Sequence, residues 1–151
     1  MTQPAQNAAM QSVTTHQRLP LFDLAATRRI EATATAALPA HTLMQRAGAA
    51  TARLARALAP HARHIWIACG PGNNGGDGLE AALHLHQGLH RHGVAVTVTW
   101  LGQPGRAPAD AQHSWERACD AGVSFSNTLP THLDARDLCI DALLGIGLAP
   151  E

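Results

Sequence analysis

Apolar residues recur every three or four positions in four stretches of the chain and crowd together in four shorter ones. In residues 21–38, Leu24, Thr27, Ile30 and Ala34 fall at helical spacing, with Asp23 as a candidate N-cap and Pro39 as a stop. Residues 41–58 place Leu43, Ala47, Ala50, Leu54 and Leu58 on one stripe ahead of Pro60. Both stretches are Ala-rich, which favours helix and close packing. A third helix is predicted over 77–91, with Leu79, Ala82, Leu83 and Leu89 inward and Gly93 ending it. A fourth is predicted over 110–121, ended by Gly122. The compact runs 64–69 (with Ile65, Trp66 and Ile67), 94–101, 123–125 and 138–143 predict strands.

From residue 64 onward strands and helices alternate, which argues an α/β fold with a mostly parallel sheet and right-handed crossovers. Such sheets bind ligands beyond the carboxyl ends of their strands. Two polar, Gly-rich segments, 70–78 and 141–147, lie at two such ends and are expected to converge on one site. The last strand runs into Gly145-Ile146-Gly147-Leu148-Ala149-Pro150-Glu151 and stops, so the pattern reads as a domain over 21–151 truncated at its C-terminus. Residues 1–20 are polar, lack the apolar core of a secretory signal, and read as a flexible tail.

Composition narrows the chemistry. Eleven basic and eleven acidic residues give zero formal charge, which argues against a nucleic-acid surface or a polybasic membrane patch. No apolar run approaches a bilayer span. Every basic residue is Arg and Tyr is absent, so a Schiff-base lysine or a tyrosine acid is excluded within the chain. Cys69, Cys119 and Cys139 lack CxxC spacing. Cys69 and Cys139 sit in apolar runs and are expected as buried free thiols, in keeping with a cytoplasmic location. His86 and His90 share a helix face, but no Glu follows His86 as in zinc proteases.

The glycine segment Gly70-Pro71-Gly72-Asn73-Asn74-Gly75-Gly76-Asp77-Gly78 concentrates the remaining signal. So many glycines imply positive φ angles or close approach. A loop that leaves a strand and opens a helix offers free N–H groups to a phosphate. Gly70, Gly72 and Gly75 satisfy G-x-G-x-x-G, but the second strand ends Trp100-Leu101-Gly102-Gln103, without the carboxylate that a nicotinamide dehydrogenase uses for ribose. A P-loop is excluded by the missing G-K-[ST]. Asn73, Asn74 and Asp77 add oxygen donors, and Asp141 adds a carboxylate that either caps a turn or meets a hard cation.

These residues resemble the YjeF N-terminal domain family, the NAD(P)H-hydrate epimerases. Residues 69–79 match its most specific motif, and Leu43-Met44-Gln45-Arg46-Ala47-Gly48 matches an earlier one that usually has Glu where this chain has Gln45. Asp141-Ala142-Leu143-Leu144-Gly145-Ile146-Gly147-Leu148 matches a third, which usually has Thr at the position of Ile146. The resemblance implies a Rossmann-like three-layer α/β/α sandwich, often a homodimer. It implies interconversion of the R and S forms of hydrated NADH and NADPH. Asn73, Asn74, Gly75, Gly76 and Asp77 would line the hydrated dinucleotide. Gly145, Ile146, Gly147, Leu148, Ala149, Pro150 and Glu151 would form a second substrate-binding stretch, and Asn74 and Asp141 would hold a potassium ion (K+). The family's further substrate-contacting Asp, its acid–base residue, and another potassium ligand fall beyond Glu151. Competing readings are a dinucleotide-dependent oxidoreductase, a non-catalytic scaffold of the same fold, and the epimerase part of a fusion with an NAD(P)H-hydrate dehydratase.

Overall fold

A computed structural model describes residues 14–146. Most of the tail expected over 1–20, and the site residues Gly147, Leu148, Ala149, Pro150 and Glu151, therefore lie outside the described residues. In chain order the elements are α1 (Leu24–Ala37), α2 (Thr42–Leu58), β1 (His64–Cys69), α3 (Asn73–Leu89), a 3-10 turn (His90–His92), β2 (Ala95–Trp100), α4 (Ala109–Asp120), β3 (Ser124–Phe125) and β4 (Leu138–Ala142). Among the described residues no helix is long and apolar enough to cross a membrane.

Local chemistry explains most of the boundaries. Asp23 caps α1 by accepting from Ala26 N at 2.7 Å. Gly93 and Gly122 take left-handed φ values of 75° and 80°, and so terminate the segments that end in His92 and Asp120. The expected start of α3 is corrected: the helix begins at Asn73, four residues before Asp77. None of the glycines from Gly70 to Gly78 has a positive φ, so Asn73-Asn74-Gly75-Gly76 winds as the first helical turn rather than as a loop.

All pairings are parallel, in the order β3-β2-β1-β4. Ile65, Ile67 and Cys69 of β1, flanked by Val96 and Val98 of β2, form the face that meets Leu79, Ala82 and Leu85 of α3. Ala52 and Ala55 of α2 and Ala118 of α4 join the same core. The architecture is a Rossmann-like α/β/α sandwich, with α2, α3 and α4 on one face. Over the other face runs the connection from β3 to β4, where Thr99 Oγ1 donates to Thr128 O at 3.4 Å.

Two expectations about burial change. The inward side of α2 is Met44, Gly48, Ala52 and Ala55, while Leu54 and Leu58 point outward. Close packing decides this: a Cβ at Gly48 would lie 2.2 Å from Cβ of Glu80 on α3, so the small residues must face inward. Cys69 is buried, and burial pushes its thiol up to about 12. Cys139 is exposed, because β4 is an edge strand of the described sheet and Cys139 sits beside Trp66, on the face away from α3.

Candidate functional site

The carboxyl ends of β1 and β4 are tied together by their backbone. Gly70 N donates to Ala142 O at 3.0 Å, directly after the paired residues Cys69 and Ala142. The glycines that follow make close approach possible. A Cβ at Gly70 would lie 1.8 Å from Leu143 O, and one at Gly75 would lie 1.9 Å from Gly70 O. At Gly78 it would lie 2.6 Å from Ala142 Cβ and 2.8 Å from Cys69 Sγ. At Gly76 it would meet Met44 Sδ at 2.6 Å and Ala111 Cα at 2.9 Å. The starts of α2, α3 and α4 therefore meet at Gly76. Gly72 differs, since nothing lies within 4 Å of its Cβ position. Most of these glycines serve contact between protein segments, and Gly72 alone leaves open space.

The two sequence-predicted segments adjoin at this end of the sheet. Asn74 Nδ2 donates to Leu144 O at 3.1 Å, and a Cβ at Gly145 would lie 3.2 Å from Asn74 Cβ. Asp141 Oδ1 accepts from Leu143 N at 2.9 Å, an Asx-type turn that bends the chain beyond β4. Asn73, Gly145 and Ile146 are exposed, Asn74 and Asp77 are half-buried, and Gly75 and Gly76 are buried. No side chain caps α3 at Gly72, so its first-turn N–H groups face the open end.

Asp77 has the unusual electrostatics of the site. Its pKa is raised to about 6, first by burial and then by the negative charges of Glu31 and Asp110. Carboxyls with such shifts are candidates for proton transfer. Asp110 was not anticipated from sequence, nor was its partner His41, whose Nδ1 lies 2.5 Å from Asp110 Oδ1. His41 also stacks on His113 at 4.0 Å and holds a left-handed φ of 64°, the only such non-glycine among the described residues. Trp100 was missed too: its Nε1 donates to Gly70 O at 3.1 Å, and its ring stacks on Trp115. The one sequence signal for Asp110 and Trp100 was position, since both flank the carboxyl end of β2.

The family model described as YjeF-related protein N-terminus matches residues 40–151. The chain belongs to this family. Among curated relatives, an NAD(P)H-hydrate epimerase of Bordetella pertussis is 44% identical over 107 residues, covering 71% of this chain and 44% of that protein. A bifunctional NAD(P)H-hydrate repair enzyme of Thermofilum pendens is 37% identical over 114 residues, covering 71% of this chain and 21% of its own length. The crystal structure of the yeast protein ynu0 superposes with a TM-score of 0.71 at 21% identity, over 88% of this chain and 60% of that one, and shares the fold. This YjeF-related chain thus spans under half the length of the Bordetella relative.

The donor set of this YjeF-related chain suits a hard cation. With Nδ2 turned to Leu144 O, Asn74 keeps its Oδ1 as an acceptor, and Asp141 has its second carboxylate oxygen uncommitted to protein. Carbonyl and carboxylate oxygens without imidazole or thiolate fit an alkali or alkaline-earth ion better than a transition metal.

Proposed function

We propose that this chain carries the dinucleotide-facing half of an NAD(P)H-hydrate epimerase, interconverting the R and S forms of hydrated NADH and NADPH. The observation that carries the reading is the Asn74–Leu144 contact, which brings the glycine segment and the segment after β4 to one strand end, in a chain of this family. The uncapped start of α3 supplies N–H groups for the pyrophosphate. Asn73 and Asn74 add polar contacts, and exposed Gly145 and Ile146 flank them as the second stretch.

The altered nicotinamide carbon bears a hydroxyl and adjoins the ring nitrogen. Protonation of that hydroxyl lets it leave as water, the nitrogen shares the positive charge, and water returns to either face. An acid–base group must give and take the proton. Burial and the negative charges of Glu31 and Asp110 raise the Asp77 carboxyl to about 6, which supports it as a group lining the dinucleotide that can share a proton near neutral pH. Asn74 and Asp141 would hold a potassium ion, whose charge offsets Asp141. Magnesium fits less well, since it demands tight octahedral geometry and retains waters. A homodimer in the cytoplasm completes the proposal.

The test starts from one purified epimer of hydrated NADPH and follows the other by chromatography. It uses this chain and any longer product of the same gene. Interconversion faster than the spontaneous reaction is expected; none in either protein would overturn the reading. The ion is tested separately, by comparing potassium with a large organic cation, in wild type and in Asp141→Asn. The expected potassium dependence shrinks in the variant. A wild-type rate and affinity indifferent to potassium would remove the ion while leaving the epimerase.

A further inference from the structure

Away from the strand ends, a groove of about 370 Å³ opens on the helical layer. Its α2 wall is Thr42, Gln45, Arg46 and Arg53, residues that fall on one helix face by their three-, four- and seven-residue spacing. His84 of α3 and Arg117 of α4 form the rest of the polar lining. No carboxylate lines it.

Charge is distributed unevenly here. The chain as a whole is neutral, yet three of its eleven arginines line this one groove. Arg117 is paired with Glu80, which is fully buried on α3, so one guanidinium is neutralised from below and anchored at the groove wall. Arg46 and Arg53 make no salt bridge among the described residues. Gln45 lines the groove beside them with an uncharged amide. Two uncompensated guanidinium groups and an imidazole therefore face one concavity.

The geometry points to a binding site for a polyphosphate chain, such as the triphosphate of a nucleotide or an inorganic polyphosphate. Arg46 and Arg53 are seven residues apart, about 10 Å along the helix axis, a spacing that an extended anion can span. Guanidinium groups bind phosphate oxygens in a bidentate manner. A volume of about 370 Å³ is at the small end of ligand pockets and fits a triphosphate better than a whole dinucleotide. This site is separate from the one proposed for hydrated cofactors, and its test does not require epimerase activity.

The experiment is isothermal titration of the intact protein with inorganic tripolyphosphate, ATP and orthophosphate at low and moderate salt. Tripolyphosphate should bind at least tenfold more tightly than orthophosphate, and should weaken as salt rises. Arg53→Gln and Gln45→Glu should each weaken it by about tenfold, the affinity equivalent of one lost charge contact. Both positions lie on the groove wall outside the core, so folding is retained and is checked by melting. Arg63→Gln, outside the groove, makes the same net-charge change and should leave affinity unaltered. ATP binding equal to tripolyphosphate identifies the phosphate chain as the ligand; tighter ATP binding identifies a nucleotide. No binding, or equal losses in Arg53→Gln and Arg63→Gln, overturns the proposal. Tripolyphosphate that binds no better than orthophosphate also overturns it.

Discussion

The two segments that meet at the strand ends are built in opposite ways. The segment that leads from β1 into α3 is clamped: four of its glycines, Gly70, Gly75, Gly76 and Gly78, have protein atoms within 3 Å of where a Cβ would stand. Past Leu143, whose carbonyl packs on Gly70, the segment after β4 is held by little more than the Asn74 hydrogen bond, and Leu144 and Ile146 are 65% and 64% exposed. One jaw of the candidate site is fixed by backbone contact and the other is free to adjust. Glycine richness here is a packing device in the first segment and an absence of obstruction in the second, where Gly145 meets only the Asn74 side chain, at 3.2 Å.

The largest expected effect comes from breaking the clamp. Gly75→Ala places a methyl 1.9 Å from Gly70 O, where only backbone can yield. It should cost about 3 kcal/mol, the upper end of ordinary overpacking. Gly88→Ala, in the same helix, meets nothing closer than Arg56 Nη1 at 3.6 Å, so it should gain about 0.5–1 kcal/mol by restricting the unfolded chain. Urea denaturation of both variants checks the contrast. Similar changes in the two would mean that the clamp carries no weight.

A middling effect is expected at Asp77, where the clamped segment holds a charge at a cost. Its folded pKa of about 6 lies above the ordinary value of 3.8, so the folded state binds more protons between those limits. Stability from this group is therefore present at acid pH and lost as pH rises through about 6. Because Asp77 is only half-buried, solvent screening reduces the full linkage value to about 1 kcal/mol. Asp77→Asn should be more stable than wild type by about that amount at pH 8 and indistinguishable at pH 4. A gain independent of pH would assign the effect to something other than charge.

The sequence revealed the sheet and the helix ends more fully than the clamped segment. Alternation of strand and helix predicted the parallel sheet, and left-handed Gly93 and Gly122 end their segments where expected. Helix α3 was predicted four residues short because Asn-Asn-Gly-Gly has poor helix propensity, and tertiary contact with Gly70, Met44 and Ala111 overrides it. The α2 stripe through Leu54 and Leu58 follows hydrophobicity, whereas close approach turns the helix: Gly48 packs against Glu80 of α3, and Met44, Ala52 and Ala55 are buried on the same side. His41 and Asp110, 69 residues apart, carry no local signal of their pairing. Cys139 lies in an apolar run but on an edge strand, and position in the sheet cannot be read from a single strand.

The smallest effect on stability is expected where the two jaws touch. Asn74→Ala removes the donor to Leu144 O but leaves the carbonyl at an exposed position, where water replaces the lost partner. The cost should be about 0.5–1 kcal/mol, the net value of one solvent-accessible hydrogen bond. Its consequence should be local. Amide exchange of Leu144, Gly145 and Ile146 should accelerate, since little else ties them. Exchange in Gly75 and Gly76 should be unchanged, because their contacts lie with Gly70, Met44 and Ala111. Asp141→Asn provides the internal comparison: its side-chain carbonyl can still accept from Leu143 N, so the turn and the exchange rates should survive. If exchange at Leu144 and Gly145 is insensitive to Asn74→Ala, the second jaw is ordered by its own backbone. Both halves of the candidate site would then be rigid before any ligand arrives.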